Sequence, residues 1–337
     1  MATNVWFWVG FNAFVLVMLA LDLGVFHRKA HVVQPREAGM WVAIWASLAL
    51  LFAAAIWKFQ DGHTATLFLT GYLIEQSLSA DNIFVIVMIF AYFGIPSEFQ
   101  HRVLFWGIIG ALVMRGAFIA LGAALLEQFH WIIYVFGAIL IFTGVRMAVK
   151  QDESFDAESN PVMKLARRFL RLTHRYDGQK FFTVENGHRV ATPLFLVLLM
   201  VEFTDLIFAI DSIPAIFGVT TDTFIVYTSN VFAILGLRSM YFLLAHIVHK
   251  FVYLKYGLSV ILSFVGAKML LEKWIHMPIW LSLVVIVVTL AVSIVASLLW
   301  PRAPHEPPPP TEGKTGSIFG TAPAGPSRSG GGDGMGG

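Results

Sequence analysis

Glu202-Phe203-Thr204-Asp205-Leu206-Ile207-Phe208-Ala209-Ile210-Asp211-Ser212-Ile213-Pro214-Ala215 sets three carboxyl side chains inside an apolar run from about residue 192 to 217. A run of about 20 apolar residues crosses the hydrocarbon core of a bilayer as a helix. A charge at the centre of such a helix costs roughly 2.5–3.5 kcal/mol, so these acids are expected to face the protein interior. The same pattern occurs earlier. Asp81-Asn82-Ile83-Phe84-Val85-Ile86, in a run from about 65 to 92, matches Asp205-Leu206-Ile207-Phe208-Ala209-Ile210. Arg115 follows Asp81 by 34 residues and Arg238 follows Asp205 by 33. Further on, Ile139-Leu140-Ile141-Phe142-Thr143-Gly144-Val145-Arg146-Met147 matches Ile261-Leu262-Ser263-Phe264-Val265-Gly266-Ala267-Lys268-Met269.

These landmarks define two units, about 65–149 and 192–272. Each contains three apolar runs, so the second enters the bilayer from the opposite side. An inverted repeat of this kind is the arrangement many secondary transporters use for alternating access. Outside the repeat lie runs at about 5–26, 39–57 and 279–300, giving nine spans with those at about 65–92, 103–126, 130–149, 192–217, 224–247 and 252–272. The spans at 39–57 and 279–300 carry no charge in their cores, which suits lipid-facing helices. Composition agrees: 57% of the chain is apolar and 13% charged, against about 25% charged in soluble domains. Continuous rather than alternating apolarity argues against transmembrane strands. The fold class expected is an all-α membrane protein of about nine transmembrane helices.

Basic residues orient it. Arg28, Lys29 and Arg36 follow the first span, Arg102 the third, and Lys250 and Lys255 the seventh; Arg302 follows the ninth. Between the fifth and sixth lie Arg146, Lys150, Lys164, Arg167, Arg168, Arg171, Arg175, Lys180 and Arg189, whereas the alternate loops hold only Lys58 and Lys273. The positive-inside rule then puts the N-terminus outside and the C-terminus in the cytoplasm. Met1-Ala2-Thr3-Asn4 lacks a basic n-region, so the first run is read as a retained span. Within the cytoplasmic loop 150–191, Val162, Leu165, Phe169 and Leu172 recur at helical spacing among arginines. They predict either an amphipathic helix over 161–176 on the anionic inner leaflet or a basic loop that only fixes topology. Asn186-Gly187 between short strand-like runs predicts a hairpin. The Pro/Gly/Ser-rich segment 301–337 is expected to be a disordered cytoplasmic tail.

The chemistry lies in the buried charges. Asp22, Glu75, Asp81, Glu202, Asp205 and Asp211 fall within spans, with Arg115 and Arg238 as companions. Six acids against two arginines leave a surplus suited to a divalent ion plus exchangeable protons. Glu202 and Asp205 share a helix face, as do Glu75, Ser79 and Asn82. Pro214 cannot donate to the carbonyl of Ile210, which predicts a break near Asp211; a matching break is expected around Ser77–Ala80. Oxygen ligands suit Mg, Ca or Mn, and the chain has no cysteine, which rules out thiolate metal sites, disulfides and cysteine nucleophiles. Met88, Met114 and Met200 could add a soft ligand or simply pack; His246 and His249 are interfacial residues or proton sensors.

Glu75-Gln76-Ser77-Leu78-Ser79-Ala80-Asp81-Asn82 and the run from Glu202 to Ala215 resemble the two signature motifs of the TerC family, most closely its Alx-type members, over about residues 5–300. Gln76 departs from the pattern, standing where many relatives carry Lys. The resemblance implies a bacterial inner-membrane protein linked to manganese efflux and, more loosely, tellurite resistance. It makes Glu75, Asp81, Asn82, Glu202, Asp205 and Asp211 metal-pathway residues, with Asp22, Arg115 and Arg238 as supporting charges. The expected function is export of a divalent cation, Mn2+ by the resemblance, with protons available as the exchange ion and no cofactor. The alternative is a membrane scaffold or sensor in a metal- or pH-stress complex. An intramembrane aspartyl hydrolase fits poorly with the companion arginines, so no enzyme activity is expected. Oligomeric state is not encoded legibly.

Overall fold

In the computed structural model the apolar runs are helices. It describes residues 5–21, 34–149, 161–173, 175–185, 187–245, 253–271, 273–274 and 277–300. Asp22, His246, His249 and the 301–337 segment lie outside the described residues. The helices are α1 (Val5–Leu21), α2 (Pro35–Phe59), α3 (Gly62–Phe93), α4 (Ser97–Gln128), α5 (Ile132–Val149), α6 (Pro161–Phe169), α7 (Pro193–Phe217), α8 (Thr223–Leu244), α9 (Leu254–Leu271) and α10 (Ile279–Leu299). Among the described residues, eight helices are long and apolar enough to cross a membrane; α1 is apolar and shorter. The chain is an all-α multi-pass membrane protein.

Close approaches give the helix directions. A Cβ at Gly137, early in α5, would fall 2.9 Å from the carbonyl oxygen of Gly266, late in α9. Gly144, late in α5, accepts a 2.6 Å hydrogen bond from the hydroxyl of Ser259, early in α9. The third helices of the two units therefore run antiparallel, as inversion requires. Between the units, Gly71 abuts Ser229 early in α3 and α8, and Phe90 meets Tyr241 late in both. Gly107 and Gly122 of α4 abut Val201 and Phe217 of α7 in the same order. Each of these two pairs runs in parallel, and exchanging the units turns one pair into the other. Glycine here admits the neighbouring helix rather than a special backbone angle, the usual means of close packing in membranes.

Buried Phe68, Phe232, Ile216 and Leu262 fill the centre, and α8 packs against α2, α3 and α4. Exposed Leu50 and Leu51 on α2, and Val284, Val287 and Val288 on α10, face outward as predicted for peripheral helices. Mid-helix hydroxyls return to their own backbone: Thr70 donates to the Thr66 carbonyl and Thr228 to that of Phe224. Polar groups inside a membrane protein must be satisfied internally in this way.

Pro214 does not break α7, which is helical from Pro193 to Phe217. The proline sits in the last turn, where the missing N–H costs one hydrogen bond and few residues remain to be redirected. α3 is likewise continuous through Ser77–Ala80. Both expected breaks are thus corrected.

In the α5–α7 connection, β1 (Phe182–Glu185) and β2 (His188–Ala191) pair antiparallel with Glu185 opposite His188, and Gly187 has φ 76°. This is the predicted hairpin. The predicted amphipathic helix is shorter than expected and turned differently. Met163 and Ala166 are buried against Leu196 of α7, leaving Leu165 and Phe169 exposed. Residues after Phe169 leave the helix because Ala191 donates to the Arg171 carbonyl and Thr173 to that of Ala191. The segment leading into the hairpin is tied to the end of α3, where the Tyr176 hydroxyl donates to the Phe93 carbonyl at 2.9 Å.

α3 starts at an N-cap, Asp61, which accepts from the Thr64 backbone N–H at 2.7 Å and from its hydroxyl at 2.9 Å. These bonds hold the Asp61 carboxyl below its ordinary range. A lowered folded-state pKa stabilises the fold above that ordinary range, and the contribution is lost as pH falls through the lowered value. Asp61→Ala should therefore lower the melting temperature at neutral pH, with the difference from wild type closing in acid. Melting curves at both pH values check this; a pH-independent difference would contradict it.

Candidate metal centre

Helices α3, α4, α7 and α8 meet around one guanidinium. Arg115 points from the middle of α4 and is 2% exposed. It forms an ion pair with Glu75 of α3, whose side chain is fully buried. Its Nη2 donates to Asp205 Oδ1 of α7 at 2.9 Å, with Nε 3.4 Å from Oδ2. Nη1 also donates to Asn230 Oδ1 of α8 at 3.1 Å. One arginine from the first unit thus holds an acid from each unit. An ion this far from water persists only with such counter-charges and hydrogen bonds around it.

The remaining acids are arranged around this centre. Glu202 lies one helical turn from Asp205, and its carboxylate occupies the space where Gly110 of α4 lacks a side chain. Asp211, nearly two turns further along α7, accepts from the Thr143 hydroxyl of α5 at 2.8 Å. Asp81 is half-buried on α3, one residue before buried Asn82. Among the described residues, neither Asn82 Nδ2 nor Glu75 Oε2 has a hydrogen-bond partner. Arg238, the repeat counterpart of Arg115, is buried on α8. No three acidic or imidazole side chains among the described residues converge as a ready-made ligand set. The structure therefore brings Glu75, Asp205 and Arg115 together, sets Glu202 beside them, and holds Asp211 apart on Thr143.

Asp81 and Asp205 are equivalent under the repeat, as are Arg115 and Arg238. Glu75, Glu202 and Asp211 have no acidic counterpart: Leu199, Leu78 and Val87 stand at the matching positions. The scaffold is duplicated, whereas the charge is asymmetric. Asn230 and Thr143 are additions to the predicted set. Asn230 is marked by its place in Thr228-Ser229-Asn230, a polar triplet in an apolar span; Thr143 lies in the repeated segment but has no ligand signature of its own. Met200 is fully buried in an apolar cluster with Ile83, Leu194 and Val197, which is a packing role.

The profile of the family described as "Integral membrane protein TerC family" matches residues 60–305. The chain is 57% identical over 300 residues to an uncharacterised membrane protein of Myxococcus xanthus, covering 89% of this chain and 93% of that protein. It is 47% identical over 308 residues to a candidate membrane-bound redox modulator, Alx, of Escherichia coli, covering 89% and 96%. An uncharacterised membrane protein of Rickettsia bellii is 41% identical over 292 residues, covering 87% and 97%. No solved structure matches the chain. With both acidic helices and the whole repeat inside the matched region, the chain belongs to the TerC family of integral membrane proteins.

Proposed function

We propose that this protein is a secondary transporter that exports a divalent cation, Mn2+, through the carboxylates between α3 and α7. The observation that carries the reading is Arg115 bridging Glu75 and Asp205, because it puts positive charge between acids of two inverted units. Five described acids in the spans, Glu75, Asp81, Glu202, Asp205 and Asp211, exceed the two buried arginines, Arg115 and Arg238, by three charges. That surplus suits a divalent ion, and carboxylate and amide oxygens suit Mn2+, Mg2+ or Ca2+. Family resemblance selects Mn2+ among them. Protons are the natural exchange ion, since carboxyl groups released by the metal in a water-poor site take them up.

In this reading the protein sits in the bacterial inner membrane, N-terminus outside and C-terminus in the cytoplasm, and works as a carrier rather than an enzyme. The redox role named for the Escherichia coli relative cannot run through thiols here, because the chain has no cysteine. Purified protein in liposomes containing a Mn2+-quenched dye should speed quenching when Mn2+ is added outside. Quenching no faster than in protein-free liposomes would overturn transport and favour a scaffold built on the basic α5–α7 connection.

A further inference from the structure

We propose that Arg115 is the site's resident cation: its guanidinium occupies the position between Glu75 and Asp205 that the transported ion takes, and the two exchange. This deepens the transport reading and rests on it. Charge makes the occupants exclusive. The two carboxylates that Arg115 touches carry −2. A divalent ion set between the same two acids beside the guanidinium would put +3 against −2 there, with Glu202 one turn along α7 as the charge to which the guanidinium can move. Replacing the guanidinium by the ion leaves the cluster neutral. Coulomb repulsion between two cations this close is strong where water is excluded.

The fold supplies a place for the displaced group. Helical side chains lean toward the N-terminus of their own helix, so Arg115 leans along α4 toward Gly110. Glu202 fills the space left by that glycine and lies one turn from Asp205 on the same face of α7. The guanidinium can therefore pass from Asp205 to Glu202 without leaving the protein or losing a counter-charge. The acids flanking it divide the work: Glu75 and Asp205 receive the ion, and Glu202 receives the arginine. Return of Arg115 to Asp205 then expels the ion, which prevents the site from trapping its cargo. Glu75 Oε2, fully buried and accepting no hydrogen bond among the described residues, is a ligand position that opens to the ion once the guanidinium moves away.

Equilibrium titration of Mn2+ into detergent-solubilised protein tests this, with flux measured on the same preparations. Removing a competitor that fills the site nine-tenths of the time tightens apparent binding by about tenfold. Arg115→Gln should therefore bind Mn2+ at least about tenfold tighter than wild type, yet lose flux because nothing expels the ion. Arg115→Lys keeps a tethered charge without the fork that grips Asp205; it should bind more tightly than wild type, less tightly than Arg115→Gln, and retain flux. An arginine that merely braces the helices predicts lower melting temperatures with no gain in affinity. Unchanged or weaker binding in folded Arg115→Gln, or in Arg115→Lys where the glutamine variant does not fold, would overturn the proposal while wild-type flux leaves the transport reading standing. Absence of flux in wild type would overturn both.

Discussion

Liposomes carrying Asp205→Asn are expected to take up Mn2+ no faster than empty ones, although the protein still folds. Asn keeps the size of Asp205 and an Oδ1 able to accept from Arg115 Nη2, so the contact at 2.9 Å can survive. What it removes is charge. The stability cost should stay near the lower end for breaking a buried pair, about 3 kcal/mol, because Glu75 and Asn230 still hold the guanidinium. The functional cost is far greater. Even changes in the second shell of a metal site lower affinity by about 10–100-fold, and Asp205 is a direct ligand in this account. Asp81→Asn, at the equivalent position of the first unit, should likewise abolish flux. Dye quenching, with size-exclusion profiles to confirm folding, measures both variants. Normal flux in the two would remove the assigned site.

The largest effect on folding is expected at Gly266. A Cβ there would lie 2.6 Å from the Gly137 carbonyl oxygen, 2.9 Å from Ile141 Cγ1 and 3.0 Å from Leu140 Cβ. The nearest obstacle is backbone, which cannot swing aside as a side chain would. Gly266→Ala should cost about 1–3 kcal/mol, the usual range for overpacking, and lower the melting temperature. Gly266→Leu should prevent α5 and α9 from closing and yield no monodisperse peak on size exclusion. Because α5 and α9 join the two units back to back, this loss removes the frame on which α3 and α7 are held. A leucine variant that melts like wild type would contradict the crossing.

Much of this architecture is readable in the residues alone. Periodic landmarks at Asp81 and Asp205, Arg115 and Arg238, and Ile139 and Ile261 mark two three-helix units, and an odd helix count calls for an inversion with which the antiparallel run of α5 and α9 agrees. Asn186-Gly187 announces its hairpin. Pairing is not readable. The separation of Arg115 from Asp81 says nothing about helix rotation, so its grip on Asp205 of the other unit emerges only when α4 packs beside α7. Pro214 misleads because a proline's effect depends on how much helix follows it. Leu165 and Phe169 mislead because α6 carries two apolar stripes, and periodicity cannot tell which one Leu196 will cover.

In the proposed transport cycle the carboxylates of α3 and α7 hold the cation. Anomalous diffraction at the manganese edge from crystals grown with Mn2+ tests it most directly. A peak among the oxygens of Glu75 and Asp205, with Arg115 turned toward Glu202, is the predicted result. A map with no manganese between α3 and α7, or with the ion bound only on the α5–α7 connection, would contradict it.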